Sequence, residues 1–186
     1  MMNNKTIAKY ELSFIGGKPE VNRFYNADNT KSIDVLSVND AESDRTTCAT
    51  IGLNDVDIGL TVEDKSLRVE LIATAYLEAD QLGCIISSIA FDIIDAGVCT
   101  HGMVIPNVVN AYIKDTEMKH ALLMSPVFWP EYKTLEDEDS IVAWLMMIPI
   151  SDSERTYIEK NGIDSFDRLI ELKKSDVLDY NRKSLI

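Results

Sequence analysis

Residues 141–150, IVAWLMMIPI, form a run of ten positions without one charged, amide or hydroxyl side chain. The run contains Pro149 and is about half as long as the ~20 residues that a membrane-spanning helix needs. A strand with one solvent-facing side alternates polar and apolar residues, and this segment does not. We therefore expect a central strand that is covered on both faces of its sheet, which requires elements that pack on each side.

The longest predicted helix covers residues 79–95. Its apolar residues recur at the three- and four-residue spacing of a single helix face, namely Leu82, Ile85, Ile86, Ile89, Ala90, Ile93 and Ile94. A first helix is predicted over residues 5–15, with Asn3 or Asn4 as its N-cap and Gly16 and Gly17 as its stop. We expect the apolar faces of these amphipathic helices to pack on a sheet.

Two short helices are predicted near the C-terminus. Ser151 and Glu154 have the spacing of a capping box, in which each residue bonds the backbone of the other. Asp164 is predicted to cap the second helix, whose residues Phe166, Leu169 and Ile170 turn inward. Both helices follow the apolar run directly and pack beside it.

The remaining segments predict strands. Short β-prone runs between turn-forming clusters lie at residues 19–25, 32–38, 46–53, 67–75, 103–109 and 121–124. No linker, repeat or low-complexity segment interrupts the 186 residues, so we expect one domain over residues 1–186. The predicted fold class is α+β, a single domain with a mixed, largely antiparallel central sheet packed by one long helix and several short helices.

The cysteines indicate a reducing compartment. Cys48, Cys84 and Cys99 are odd in number and stand in unrelated contexts, which argues against a disulfide framework. The N-terminal residues alternate polar and apolar side chains, and a basic segment followed by an apolar one, typical of a signal peptide, is missing. We therefore expect a cytoplasmic protein that is not inserted in a membrane.

The net charge limits the partners. Thirty-one acids against eighteen bases give a formal charge of -13. Such a charge repels phosphate backbones and anionic lipids, so direct binding to nucleic acid or to a membrane is not expected, and it attracts basic macromolecules. Many soluble proteins are acidic for solubility alone, and that interpretation stays open.

Acidic residues concentrate beside aromatic ones after residue 126. A solvated connection between two strands would explain this composition. A contact surface for a basic protein would explain it as well, because aromatic anchors supply affinity and charges steer the encounter. The run NDAESD at residues 39–44 is a further rival for such a contact. The predicted partner-binding residues are Glu131, Tyr132, Glu136, Asp137, Glu138, Asp139, Asp55, Asp57, Glu63 and Asp64.

Catalytic patterns are weak. Cys99 and His101 are close enough in sequence for a thiol and imidazole pair, but the closed set of four ligands that a structural zinc site needs is not visible. Asp92 and Asp95 share a helix face and are better explained as solvated residues than as an acid and base pair. Phosphate-binding glycine loops and serine-hydrolase motifs do not occur. We expect no cofactor, no metal and no catalytic residues.

The chain resembles the suppressor-of-fused-like domain family, and its short bacterial members in particular. The resemblance rests on PVFWPEYKTLEDEDSIVAWLMMIPIS at residues 126–151, then EKNG, LIELKKSDVLD and DYNRKSL, and it extends back to SIDVLSV at residue 32. The family pattern falls mainly on positions that we expect to build the scaffold, namely Pro126, Phe128, Trp129, Trp144, Leu145, Pro149, Asn181 and Arg182.

The resemblance implies a binding function. Bacterial domains of this type often serve as immunity proteins, or antitoxins, of polymorphic toxin systems, including systems whose LXG-type toxins carry nuclease domains. It implies that the chain occupies a cognate toxin, which would be basic if it is a nuclease, and blocks it stoichiometrically. The alternatives are a non-catalytic scaffold that binds a peptide of a cellular protein, and a small hydrolase that uses Cys99 and His101.

Overall fold

The computed structural model describes residues 2–40, 42–129 and 132–186. Five α-helices and nine strands follow one another along these residues. Their order is α1 (Asn4–Ile15), β1 (Glu20–Tyr25), β2 (Ser32–Asp40), β3 (Arg45–Ile51), β4 (Thr61–Val62), β5 (Lys65–Ala75), α2 (Ala79–Ala96), β6 (Val104–Ile105), α3 (Val108–Tyr112), β7 (Met118–Met124), β8 (Leu135–Glu136), β9 (Ser140–Ser151), α4 (Asp152–Asn161) and α5 (Ile163–Lys173).

All nine strands belong to one mixed sheet. Its main path is β1-β2-β3-β5-β9-β7-β6, and β4 and β8 are short additions to β5 and β9. The β5–β9 pair is parallel and the other pairs are antiparallel. The predicted fold class is thereby confirmed. The parallel pair matters for the site below, because it aligns the starts of two strands that are far apart in sequence.

The predicted central strand is β9. Its residues pair with β5, β7 and β8, and alternate side chains enter different cores. Leu145 and Met147 face the core under α2, whereas Met146 and Ile148 face the core that contains Ile158 and Phe166 of α4 and α5. The uniform apolar composition of this run is therefore explained by helices on both faces.

Three details differ from the sequence-based expectations. The predicted strand over residues 103–109 is wrong, because it stops after Ile105. Pro106 has no N–H to donate to a strand, and Asn107 takes a left-handed φ of 60° at the start of α3. The strand predicted over residues 46–53 ends at Ile51, where Gly52 has a φ of 101° that few other residues adopt. Asp164 does not cap α5, whose N-cap is Gly162.

The remaining helix predictions are confirmed. Asn3 caps α1 by accepting a hydrogen bond from Thr6 N at 2.9 Å. The capping box of α4 is complete, because Ser151 Oγ accepts from Glu154 N and Glu154 Oε2 accepts from Ser151 N. None of the described helices combines the length and the apolarity that crossing a bilayer would require.

Candidate partner-binding surface

Two of the predicted acidic segments lie side by side at one end of the sheet. The parallel register pairs Ser66 at the start of β5 with Ser140 at the start of β9. Ser66 N donates to Asp139 O at 2.9 Å, which ties the connection before β9 to β5. We call the group formed by Asp57, Glu63, Asp64, Glu136, Asp137, Glu138 and Asp139 the acidic end, in which every member except the half-buried Asp137 is exposed. Sequence spacing alone could not show that these two segments are neighbours, because their proximity depends on which strands pair.

The first loop of the acidic end is a tight hairpin. β4 and β5 pair with Val62 opposite Lys65, so only Glu63 and Asp64 form the turn. Both have left-handed backbones, with φ values of 50° and 64°, as a two-residue type I′ hairpin requires. Both side chains are exposed. The turn therefore presents two carboxylates on a short, geometrically restricted loop.

The second loop is organised by Asp137. Its Oδ1 accepts hydrogen bonds from Asp139 N at 3.0 Å, Ser140 N at 2.7 Å and Ser140 Oγ at 2.9 Å. These bonds, first among them that of the Ser140 hydroxyl, hold the pKa of Asp137 far below its usual range. Asp137 thus shapes the loop from inside. Glu136, Glu138 and Asp139 are the members of this loop that are exposed.

Two bases lie among these acids. Lys65 Nζ is 3.3 Å from Glu136 Oε2 and donates to Asp137 O at 2.8 Å. Arg68 Nη2 is 3.8 Å from Asp57 Oδ2. Seven carboxylates against two bases leave the acidic end with a formal charge of -5. Since surface ion pairs of this kind contribute little to stability, exposed members such as Glu138 and Asp139 are accessible to a partner.

Two of the predicted residues, Asp55 and Tyr132, lie elsewhere. Asp55 is exposed beside the β1–β2 side of the sheet, in a cleft that also contains Arg23 and Asp34. Tyr132 is half-buried, and its ring packs 5.1 Å from that of Trp144 and 4.6 Å from that of Phe14, measured between centroids. Glu131 lies outside the described residues.

The acidic run at residues 39–44 lies at the opposite end of the sheet. It connects β2 to β3, and Thr46 at the start of β3 pairs with Ala75 at the end of β5. β5 has 11 residues, so roughly 30 Å separates this connection from the acidic end at about 3.3 Å per residue. The two surfaces can therefore be tested separately.

Two buried carboxyls beneath α1 were not found by the sequence reasoning. Glu70, on β5, accepts hydrogen bonds from Thr50 Oγ1 at 2.6 Å, from Asn54 Nδ2 at 2.7 Å and from the backbone N–H groups of residues 52–54. Glu11, on α1, accepts from Trp144 Nε1 at 3.0 Å. Neither residue has exposed surface. No signal in the sequence marks them, because their partners come from distant segments.

Burial changes the titration of this pair. Loss of hydration raises the pKa of Glu70 to about 7, against the opposing effect of its hydrogen bonds. Burial first, and the nearby charge of Glu70 second, raise the pKa of Glu11 well above its ordinary value. Because Glu70 accepts far more hydrogen bonds, we assign the negative charge to Glu70 and the proton to Glu11.

The residues of the hydrolase alternative are not arranged for catalysis. Cys99 is buried, and burial raises the pKa of its thiol to about 12, which disfavours the thiolate nucleophile. His101 is exposed. Asp92 and Asp95 are exposed as expected, and Asp95 forms an ion pair with Lys31. Among the residues that the structure describes, no group of three or more His, Cys, Asp or Glu could hold a metal ion.

Comparison with known proteins identifies the family. The model of the family described as "Suppressor of fused protein (SUFU)" matches residues 29–183. The chain belongs to the suppressor of fused family. The resemblance deduced from the sequence motifs is therefore confirmed.

Several known proteins resemble this chain over nearly its whole length. Immunity protein YqcF of Bacillus subtilis (strain 168) is 36% identical over 186 residues, which cover 98% of this chain and 97% of that protein. A putative SUFU homolog from Neisseria gonorrhoeae FA 1090 has the same fold, with a TM-score of 0.76, 15% identity and coverage of 98% and 96%. Drosophila Suppressor of Fused matches with a TM-score of 0.58 and 13% identity over 93% of this chain and 45% of its own.

The C-terminal motif of this suppressor of fused domain builds a buried ion pair. Arg182 Nη1 and Nη2 donate to Glu154 Oε1 and Oε2 at 2.6 and 2.9 Å. Arg182 Nη2 also donates to Pro149 O at 2.9 Å, and Leu185 N donates to Glu154 Oε1 at 2.9 Å. The scaffold role predicted for Arg182 is confirmed, as it is for the buried Trp144 and Leu145. Phe128 differs from that expectation, because 45% of its surface is exposed.

Proposed function

We propose that the chain is an immunity protein, or antitoxin, that binds a cognate secreted toxin and blocks it by stoichiometric occlusion. The observation that carries this proposal is the 36% identity, over nearly the full length of both chains, to a protein named as an immunity protein. Solved structures below 25% identity support the fold but not the activity. The proposal places the chain in the cytoplasm, where a toxin could attack the producing cell.

The toxin that fits this chain best is basic, and a nuclease is the expected class. A nuclease presents a cationic groove to phosphates, and an acidic inhibitor can occupy that groove. The acidic end places exposed carboxylates on two short loops, residues 63–64 and 136–139, which are held against each other through Lys65 and Ser66. Because the loops are restricted before binding, little conformational entropy is lost when a partner orders them. The same charge disfavours direct binding of nucleic acid by this chain.

Growth of a bacterial host tests the proposal directly. The toxin domain encoded next to this gene is expressed from an inducible promoter, alone or together with the full chain, and the two proteins are then co-purified. We expect the chain to restore growth and to elute with the toxin domain in an equimolar complex. Toxicity that persists at equal expression, with no complex in the eluate, would overturn the proposal.

A catalytic route to protection predicts a different stoichiometry. An enzyme that modified or degraded the toxin would protect at far less than one equivalent, whereas occlusion requires at least one. Titration of purified chain into a fixed amount of toxin, with residual toxin activity as the readout, separates the two routes. We expect activity to fall linearly to an end point at one equivalent, and Cys99→Ser to leave the end point unchanged.

A non-catalytic scaffold that binds a peptide of a cellular protein is the second candidate. The fold is also found in a solved structure titled "the Sufu-Fu complex crystal structure", with a TM-score of 0.68, 12% identity and coverage of 98% of this chain and 92% of that one. A scaffold of this kind would give a phenotype on deletion in cells that carry no toxin gene. An immunity protein would give that phenotype only in the presence of the toxin.

A further inference from the structure

Two cavities meet at the end of the sheet opposite the acidic end. One, of about 300 Å³, is lined by Asp40, Asp44, Arg45, Tyr76 and Glu78 among others. The second, of about 290 Å³, is lined by four polar residues and by five apolar ones, namely Ile15, Val38, Phe128, Trp129 and Leu178. Both cavities include Asp40 and Arg45 in their walls, so they are neighbours, and we call the two together the groove. We call the first cavity the charged cleft and the second the apolar socket.

The apolar socket has a hydrophobic floor and an exposed aromatic rim. Val38 and Leu178 are buried to more than nine-tenths at its floor. Thr47 and Thr74 also line it, and their hydroxyl groups lie 2.8 Å apart and bond to each other. The polar atoms of the floor are thus largely satisfied, and an apolar side chain could enter without leaving them unpaired.

The rim of the socket exposes hydrophobic surface that the fold does not use. Phe128 is 45% exposed and Val127 is 52% exposed. The ring of Phe128 contacts Trp129 edge to face, with centroids 6.2 Å apart, so it is held in place and not merely solvated. Exposed aromatic side chains that border a preformed cavity are typical of protein–protein contacts.

The charged cleft is negative despite its arginine. Asp40, Asp44 and Glu78 outnumber Arg45 and give a formal charge of -2. Asp40 is kept ionised, because the hydroxyl of Ser43 and the backbone N–H of Glu42 bond it and lower its pKa. Tyr76 also lines this cleft, is 45% exposed, and donates its hydroxyl hydrogen to Asp176 Oδ2 at 3.1 Å. The cleft therefore combines fixed negative charge with an exposed aromatic ring.

We infer that this groove docks an exposed segment of a partner protein in which an aromatic side chain stands beside lysine or arginine. The aromatic side chain fills the apolar socket, and the cation enters the charged cleft. There it meets the carboxylates and the Tyr76 ring, both of which attract cations. Charge complementarity selects this occupant, because an acidic or nucleic-acid segment would face Asp40, Asp44 and Glu78.

The inference is independent of the proposed immunity function and of the acidic end. It concerns residues at the other end of β5, and its test needs no toxin. The probes are two blocked peptides, KKWKK and KKAKK, which carry the same charge and differ only in the aromatic side chain. Each is titrated into the ¹⁵N-labelled full chain while backbone amide shifts are recorded.

We expect KKWKK to bind about ten-fold more tightly than KKAKK, since burial of a tryptophan ring contributes at least that much. The largest shift changes should fall in residues 74–78 and 125–129. Phe128→Ala should reduce the affinity for KKWKK to that for KKAKK, and Asp44→Lys should weaken both peptides. Both substituted residues are exposed, and the dispersion of the amide spectrum shows whether each variant is folded.

Matched controls carry equivalent changes on the α2 face of the molecule. Tyr112→Ala removes an aromatic side chain that is 41% exposed, and Asp92→Lys reverses an exposed acid. Both should leave the affinity for KKWKK within about two-fold of wild type, as surface changes away from a contact do. Equal affinity for the two peptides, or shift changes centred on residues 57–64 and 136–139, would overturn the inference, because net charge alone would then account for binding.

Discussion

The carboxylates of this chain fall into two groups that differ in what they bond. Glu154, Glu70 and Glu11 have no exposed surface and are bonded by groups of the same chain. At the acidic end, Glu63, Asp64, Glu138 and Asp139 are exposed. The comparison teaches that net charge alone says little about function. Interior acids hold segments of the fold together, and exposed acids remain available to a partner.

The energetic reason lies in desolvation. A buried charge costs several kcal/mol of folding free energy unless partners surround it. Removing one partner therefore destabilises the folded state strongly. Glu154 illustrates this, with four donors within 2.9 Å and an arginine opposite it. An exposed acid is hydrated and screened, so its loss hardly affects folding.

The largest expected effect is that of Arg182→Ala. The substitution leaves Glu154 as an unpaired buried charge and should lower the free energy of unfolding by about 3 to 5 kcal/mol. Urea denaturation followed by circular dichroism measures it. Lys183→Ala is the matched control, because Lys183 pairs with Glu117 at 2.9 Å but is 86% exposed. If both variants unfolded at the same urea concentration, the distinction between buried and exposed pairs would fail.

The next effect is on pH dependence. An acid whose pKa is higher in the folded state binds more protons when folded, so stability falls as pH rises from its unfolded value to its folded value. For Glu70 this interval runs from pH 4.5 to about pH 7. The free energy of unfolding falls by about 3 kcal/mol at most across it. Denaturation midpoints recorded between pH 4.5 and pH 8 should therefore decrease as the pH is raised.

Glu11→Gln should flatten this decline. The amide carries no charge at any pH, so the proton that Glu11 retains in the folded state no longer contributes to the decline. The control is Glu138→Gln at the acidic end, which should keep the wild-type slope. If stability depended on pH with the same slope in Glu11→Gln as in wild type, the buried pair of Glu11 and Glu70 would not be the source of the pH dependence.

A smaller effect, of opposite sign, is expected for Tyr132→Phe. The hydroxyl of Tyr132 is buried and has no hydrogen-bond partner among the described residues. Deleting it removes an unsatisfied group and should stabilise the chain by up to about 1 kcal/mol. Since Tyr132 was predicted to contact a partner, toxin affinity is the second readout. If the toxin affinity were unchanged, Tyr132 would serve the scaffold only. If the toxin affinity fell, Tyr132 would contact the toxin.

The smallest stability effect should come from the acidic end itself. The double variant Glu138→Gln and Asp139→Asn removes two exposed charges that contact no buried group. Its denaturation midpoint should match that of wild type. A clear loss of stability would mean that these acids organise the loop, as Asp137 does, and would weaken their assignment to a contact surface.

Sequence patterns predicted the parts of the fold that depend on local chemistry. The apolar run at residues 141–150, the helix stripe from Leu82 to Ile94 and the α4 capping box each depend on spacing within one segment. Patterns failed at local features that the strand prediction did not weigh, such as Pro106 and Asn107, and where the deciding partner is distant. The end of β3 at Ile51 depends on Gly52, whose N–H donates to Glu70 Oε1, and the meeting of residues 63–64 with residues 136–139 depends on the parallel β5–β9 pair.

Titration of the toxin domain against the double variant Glu138→Lys and Asp139→Lys tests the central claim most directly. Dissociation constants are measured at several salt concentrations for wild type, this variant and Glu171→Lys, an exposed reversal on α5. We expect the acidic-end variant to bind about ten-fold more weakly with a shallower salt dependence, and Glu171→Lys to match wild type. Unchanged affinity and salt dependence in the acidic-end variant would contradict the account.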